Sequence, residues 1–189
     1  MATIPVLPGK LRHAAGAIER STGLRVEIIG GILLLSPPRR GKHAGTVRRL
    51  RERIGSQLPG LGVYEAASIA LPGDEDDYAT PDLVVLPAQW GNQDNRLAPP
   101  SDVVLAADVT PHPGRVSHIG TKADWYAAAG VAVLLAVDPR KGVWTLRTHP
   151  RDGEYQGVLH GKYGEPVPLP APLPAELDTS ALPLYAPRA

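Results

Sequence analysis

The chain has 189 residues, 43% hydrophobic and 21% charged, so it is long enough for one domain with a sizeable core and too apolar for wholesale disorder. Its 20 Lys and Arg residues nearly balance its 19 Asp and Glu residues, and overall charge therefore neither predicts nor excludes a polyanionic partner. The absence of cysteine excludes disulfides, thiolate chemistry and Cys-ligated zinc, and is consistent with a reducing compartment.

The first elements of the chain are predicted to be a helix and a β-hairpin. Residues 9–20 carry apolar side chains at helical spacing, which is typical of a short amphipathic helix. The stretch LRVEIIGGILLLSPP (24–38) predicts two strands joined by a Gly-Gly turn, and the two prolines at its end stop the second strand.

A second helix is predicted over residues 42–58, where apolar side chains recur at helical spacing. His43 lies one turn before the first of these side chains and should face inward, whereas Arg48 and Arg51 face away. The surrounding segment RRGKHAGTVRRLRER (39–53) carries seven basic residues and one acid. Two interpretations of that charge stay open, a nucleic-acid contact surface and a solvated helix face.

The middle of the chain predicts short strands and two central strands. Strand candidates lie within 61–71, and the acidic block DEDD (74–77) that follows is expected to be solvated surface. The runs at 81–87 and 102–109 are apolar on both faces, as central strands of a covered sheet are.

The last part of the chain predicts a helix at 115–129, several strands and a tail. The strands are expected at 131–139, 142–149 and 153–163. The segment 165–189 is rich in proline, which cannot donate to a β-ladder, so we expect an extended tail that packs over the domain or hangs free. The expected architecture is α/β, a single domain over 1–164 with a mixed sheet flanked by helices.

Two aspartates lie at the ends of the predicted central strands. Asp82 opens the run 81–87 and Asp108 closes the run 102–109. If these strands are adjacent and antiparallel, the two carboxylates meet at one end of the sheet. Paired carboxylates there can share a divalent cation, which offsets their desolvation and mutual repulsion.

Lys122 is predicted to lie on the inward stripe of the 115–129 helix, four residues before Tyr126. A lysine on a buried stripe needs an anion or a route to water, and this helix can bring its ammonium over the carboxylate pair. Taken singly, each residue has a structural explanation: Asp82 caps a loop, Lys122 reaches the surface, and His43 is a satisfied core histidine. Taken together, they favour a functional site.

These residues and their order resemble the PD-(D/E)xK nuclease superfamily and, within it, the Uma-two family of restriction-endonuclease-like proteins. The resemblance rests on LRVEIIGGILLLSPPRRGKHAG, TPDLVVLP, VVLAADV and TKADWYAAAGVAVLLAVDP, and covers roughly residues 10–150. Thr110 stands at the superfamily's lysine position, and Lys122 stands where the Uma-two family has its lysine. The chain departs from the family at Asp108, at Gly30, at the TPHPG segment (110–114) and at His118.

The resemblance implies a restriction-endonuclease-like fold and metal-dependent hydrolysis of nucleic acid, with DNA as the favoured substrate and a homodimer as the assembly. Mg²⁺ or Mn²⁺ would be held by Asp82, Asp108, the carbonyl of Val109 and Glu27. Lys122 would orient the attacking water or stabilise developing charge, and His43 would contact Glu27 or a phosphate. The basic residues expected to follow the nucleic-acid backbone are Arg39, Arg40, Lys42, Arg48 and Arg51.

Two other functions fit the same residues. One is a catalytically weak or silent relative that binds nucleic acid or a protein partner, and it is favoured by the departures from the family pattern. The other is a small α/β scaffold whose acids simply cap strands, and it would be supported by finding the two aspartates far apart. No signal peptide pattern and no run near the roughly 18 apolar residues of a membrane span is present, so we expect a cytoplasmic protein without membrane contact.

Overall fold

The computed structural model describes residues 8–56, 58–109 and 116–185, with the backbone alone described for 116–121. The helices are α1 (Lys10–Thr22), α2 (Gly41–Gly55) and α3 (Val116–Ala129). The strands are β1 (Arg25–Ile29), β2 (Ile32–Ser36), β3 (Leu61–Tyr64), β4 (Ser68–Ala70), β5 (Tyr78–Ala79), β6 (Leu83–Pro87), β7 (Leu97–Ala98), β8 (Leu105–Val109), β9 (Val133–Asp138), β10 (Val143–Arg151), β11 (Glu154–Lys162), β12 (Val167–Pro168) and β13 (Glu176–Leu177).

The strands form two main sheets. The six-stranded sheet has the order β11-β10-β9-β8-β6-β3 and is mixed, because β8 and β9 run parallel while the other neighbours run antiparallel. Helix α3 makes the crossover that a parallel β8–β9 pair requires. The five-stranded sheet has the order β2-β1-β5-β4-β7 and contains the predicted N-terminal hairpin. The predicted α/β fold with a mixed sheet is confirmed.

The central strands are apolar throughout because both faces of the six-stranded sheet are covered. In β6, Leu83 and Val85 pack in the cluster that contains α2 and the C-terminal segment, whereas Val84 and Leu86 pack against the five-stranded sheet and α3. All four side chains are fully buried. Polar groups of such a strand can therefore approach solvent only at its ends.

The predicted apolar stripes of the first two helices are confirmed. In α1, Ala15 is buried against Val26 and Tyr78. In α2, Val47, Leu50 and Ile54 are fully buried under the six-stranded sheet. No helix in the described part of the chain is long and apolar enough to cross a membrane.

The proline-rich C-terminal segment packs onto the same cluster as α2. Its buried apolar side chains are Val167, Leu169, Leu173, Leu177 and Leu182. Strands β12 and β13 within it pair with each other as a separate two-stranded sheet. A division of the chain between 1–164 and 165–189 stays a prediction.

The acidic block 74–77 is not solvated surface throughout, and that expectation is wrong for Asp77. Its carboxylate is buried and accepts the N–H groups of Gly30 (2.6 Å) and Gly31 (2.9 Å), which have the positive φ angles of a tight hairpin turn. It also accepts the indole N–H of Trp125 at 3.3 Å. The reason is that two turn N–H groups and the indole N–H of Trp125 converge on this side chain, and a buried donor such as the indole needs an acceptor. Asp77 thereby ties the β1–β2 hairpin to α3.

Replacing Asp77 should therefore weaken the whole fold. We expect Asp77→Ala to lower the free energy of unfolding by roughly 2–4 kcal/mol, because it removes the acceptor of two turn N–H groups and leaves the buried indole N–H of Trp125 unpaired. The matched control is Glu75→Ala in the same block, an exposed position where we expect a change within about 0.5 kcal/mol. Urea denaturation followed by tryptophan fluorescence measures both, and equal effects of the two variants would contradict the role of Asp77.

Candidate functional site at the ends of β6 and β8

The two predicted strand-end aspartates are neighbours. Strands β6 and β8 pair antiparallel, with Leu83 opposite Ala107. Asp82 directly precedes Leu83 and Asp108 directly follows Ala107, so the two aspartates lie beside each other. The backbone N–H of Asp82 donates to Asp108 Oδ1 at 3.3 Å, and the N–H of Val109 donates to Asp82 Oδ2 at 2.7 Å. The predicted antiparallel pairing is confirmed, and each carboxylate is held by the other strand. The wide separation of the two acids that would support the scaffold alternative is not observed.

Lys122 links the carboxylate of β8 to the hairpin of the other sheet. Its Nζ lies 2.8 Å from Glu27 Oε1 and 3.2 Å from Asp108 Oδ2. It also donates to the carbonyl oxygen of Thr80 at 3.3 Å, while the N–H of Thr80 donates to Glu27 Oε1 at 2.7 Å. The lysine predicted to lie over the carboxylates therefore contacts Asp108 and Glu27.

Asp82 faces three cationic or potentially cationic side chains. Its Oδ1 contacts Nη2 of Arg39 and lies 3.2 Å from Nε2 of His43 and 3.7 Å from Nη1 of Arg25. The resemblance implied Glu27 or a phosphate as the partner of His43, and the structure places His43 on Asp82. The reason is that α2 packs on the six-stranded sheet, where β6 begins next to Asp82, whereas Glu27 belongs to the five-stranded sheet.

The surroundings give the three acids different pKa values. Burial opposes ionisation of Asp82, but the His43 imidazole and the charge of Arg39 outweigh it and lower the pKa to about 2. Burial also opposes ionisation of Glu27, and there the ammonium of Lys122 lowers the pKa. For Asp108, burial raises the pKa despite Lys122, and the charge of Asp82 adds to the rise. Asp82 is therefore the firmly ionised member of the strand-end pair.

The donor chemistry of this pair fits a hard divalent cation. Mg²⁺ prefers oxygen ligands, often takes only one or two carboxylates, and keeps several waters. Asp82 and Asp108 supply such a pair. Among the described residues no group of three or more His, Asp or Glu side chains is arranged to hold a metal ion, and Lys122 contacts both Glu27 and Asp108. Asp82 and Asp108 are thus the two residues whose chemistry fits a divalent cation. Ligation by Glu27 or by the carbonyl of Val109 stays a prediction.

The predicted nucleic-acid-binding residues fall into two groups. Arg39 enters the acidic site, where its side chain is 23% exposed. The others are exposed, and two of them pair with acids: Arg48 with Glu52 on the same helix, and Arg51 with Glu65. The exposed positions are Arg40, Lys42, Arg48 and Arg51. Their role stays a prediction.

Two residues of the site were missed by the sequence analysis. Arg25 stands two positions before Glu27 in β1, and side chains at that spacing share one face of a strand. Its position was therefore a usable signal. Thr80 acts through its backbone, which no side-chain pattern reveals. Thr110, the segment 110–114 and the side chain of His118 lie outside the described residues.

Comparisons with known proteins match this chain to a family. Residues 14–184 match the family model described as "Uma2: Putative restriction endonuclease". The fold is similar to a crystal structure of "a putative nuclease belonging to DUF820" from Anabaena variabilis ATCC 29413, with a TM-score of 0.60, 14% identity, and coverage of 79% of this chain and 84% of that one. A comparison with curated proteins gives no match.

The low pKa of Asp82 predicts a particular loss of stability in acid. Folding lowers this pKa from 3.8 to about 2, so the unfolded chain binds the proton more readily, and the stabilisation is present above about pH 4 and lost as the pH falls through 2. Between pH 5 and pH 2 the free energy of unfolding should fall in both proteins. We expect this fall to be smaller in Asp82→Asn than in the parent, by roughly 2 kcal/mol.

Urea unfolding across this pH range, with chelator present, measures the effect. Asp152→Asn removes an acid that is 96% exposed in the turn between β10 and β11, and it should follow the parent curve. Parallel curves for the parent and Asp82→Asn would show that Asp82 is not held ionised by its neighbours.

Proposed function

The chain belongs to the Uma2 family, and on this basis we propose that it is an endonuclease that uses a divalent metal to hydrolyse phosphodiester bonds of DNA. The observation that carries the proposal is the strand-end pair Asp82 and Asp108 with the ammonium of Lys122 against it. These are the residue types that metal-assisted hydrolysis needs, and they lie where two covered strands end. We further propose that the protein acts as a homodimer, because two sites serve the cutting of two strands.

In the proposed reaction the protein's own residues would hold the metal ion, orient the attacking water and stabilise the charge that develops on the phosphate. Asp82 and Asp108, with the carbonyl of Val109, would hold Mg²⁺ or Mn²⁺, which when bound supplies a water of lowered pKa and neutralises charge on the phosphate. Asp82 is suited to this because His43 and Arg39 keep it ionised. Glu27 positions Lys122 at 2.8 Å and so acts through the lysine in addition to any metal contact.

Lys122 is the residue that would touch the reacting atoms. Asp108 and Glu27 outweigh its burial and raise its pKa, so the amine stays protonated. An ammonium in a largely buried position can orient the attacking water or stabilise the charge that develops on a phosphate oxygen. Its present partners, two carboxylates and one carbonyl oxygen, hold it in place for that task.

Removing either key group should abolish cleavage. We expect Asp82→Ala and Lys122→Ala to lower the rate of plasmid DNA cleavage by about 10²-fold or more, and chelation of the metal to stop it. Gel electrophoresis with Mg²⁺ or Mn²⁺ measures the rate, and RNA is assayed in parallel. Lys141→Ala is the control, since it removes an amine from the exposed turn between β9 and β10. The enzyme proposal fails if the parent protein cleaves neither nucleic acid with any divalent metal.

Metal binding can be measured without catalysis. We expect the parent protein to bind Mn²⁺ in isothermal titration calorimetry, and Asp108→Ala to abolish the heat because only one strand-end carboxylate remains. Asp152→Ala, in a solvent-exposed turn, should bind like the parent. Equal heats from the parent and Asp108→Ala would remove Asp108 from the metal site.

A second candidate function is nucleic-acid binding without cleavage. The observation that favours it is that Asp82 Oδ1 already contacts Arg39 and His43, so that a metal would have to compete with both. Binding of DNA together with no Mn²⁺ heat and no cleavage would favour this candidate over the nuclease.

A further inference from the structure

An open groove runs beside the acidic site. It consists of two hollows of about 360 Å³ and 280 Å³ that share Gly23, Arg25 and Ala66. The larger hollow extends to Thr80 and Arg96, and the smaller extends to Pro38 and Arg39. Arg25 lies where the two hollows join and is within 4.0 Å of Asp82 and Glu27, so this side chain links the groove to the acidic site.

Arg25 has hydrogen-bond donors that the described residues do not use. Its Nη1 lies 3.7 Å from Asp82 Oδ1 and its Nη2 lies 4.0 Å from Glu27 Oε2, distances at which charges attract but no hydrogen bond forms. Nη1 is buried without a hydrogen-bond partner among the described residues, and the side chain as a whole is 27% exposed. A partly exposed guanidinium with unused donors beside a groove is suited to a phosphate, because its fork can donate to two phosphate oxygens at once.

The other basic groups around the groove are already paired. Arg96 pairs with Glu19 and stacks on the ring of Tyr78, with 5.7 Å to the ring centroid. At the other end, Arg39 contacts Asp82 directly. Of the described arginines that line this groove, Arg25 therefore has the longest carboxylate contacts, at 3.7 Å and 4.0 Å, and the charges of Asp82 and Glu27 attract it from the site.

We propose that this groove binds the backbone of DNA, and that Arg25 contacts the phosphate group whose phosphodiester bond the protein hydrolyses. The inference rests on the proposed function, since it assigns the substrate contact of that same site. It also moves the DNA contact from the outward face of α2, represented by Arg48, to the groove between β1 and the segment after β3. The guanidinium of Arg25 would then interact with the phosphate as well as with the carboxylates of Asp82 and Glu27.

The test is DNA binding in chelator, so that cleavage plays no part. Fluorescence anisotropy with a labelled 20-base-pair duplex gives the affinity at several salt concentrations. We expect Arg25→Gln to weaken binding about tenfold and to reduce the slope of log K against log salt by about 0.9, the value for one lost phosphate contact. The matched control, Arg151→Gln, removes the same charge from an 80% exposed position in the β10–β11 hairpin and should leave both quantities unchanged.

Two further variants keep the test decisive if Arg25→Gln unfolds the protein. Arg25→Lys keeps the charge but loses the fork, so we expect weaker binding with a nearly unchanged salt slope. Pro38→Glu places a negative charge on the exposed wall of the smaller hollow and should weaken binding without touching the acids. Thermal denaturation of each variant establishes that it is folded.

The outcomes separate this inference from the proposed function. Loss of affinity and slope in Arg25→Gln supports the inference, even if the parent protein cleaves nothing. Parent-like binding by folded Arg25→Gln and Pro38→Glu overturns it, even if the parent protein is an active nuclease. Loss of affinity in Arg48→Gln with parent-like binding by the Arg25 variants would place the DNA on the outer face of α2 and would also overturn it.

Discussion

The antiparallel pairing of β6 with β8 is the constraint on which the rest of the site depends. It places two carboxylates side by side at a strand end, and the hydrogen bonds from the backbone of each strand to the acid of the other hold them there. Both faces of these strands are covered by apolar side chains, so the acids cannot turn away into solvent along the sheet face. The two aspartates of the site therefore lie together because β6 begins and β8 ends at the same edge of the covered sheet.

Burying Asp82 and Glu27 and partly burying Asp108 requires compensation, and the structure supplies it with three cationic side chains. Asp82 contacts Arg39 and Arg25, whereas Glu27 and Asp108 contact Lys122. An uncompensated buried carboxylate would take up a proton, and a site of neutral acids would attract no cation. The same bases that stabilise the fold thus keep Asp82 ionised, and they are suitably placed to meet a negatively charged substrate.

The two sheets meet through polar contacts as well as through the apolar cluster between them. Lys122 on α3 reaches Glu27 on the hairpin, and Asp77 fixes the hairpin turn and accepts a hydrogen bond from Trp125 of the same helix. Helix α3 is therefore held at both its lysine and its tryptophan. This explains why a lysine supplied by a helix, rather than by the strand that carries Asp108, can be positioned with precision.

The sequence by itself determined the local elements and the strand-end acids. Apolar periodicity identified α1, α2 and the hairpin, and the two-sided apolar runs identified β6 and β8, because hydrophobic burial imposes its period on the chain wherever an element packs. The same runs pointed to Asp82 and Asp108, and the inward stripe of the predicted 115–129 helix pointed to Lys122. Family resemblance then supplied the expected fold.

Only the tertiary structure decided which side chains pair. His43 contacts Asp82 and not Glu27, Arg25 joins the site, and Asp77 is buried, because each partner is set by how two sheets and three helices are juxtaposed. Arg25 lies in β1 and His43 in α2, whereas Asp77 and Asp82 directly precede β5 and β6. The energy of a charged contact depends on distance and desolvation, and the spacing of residues along the chain gives neither.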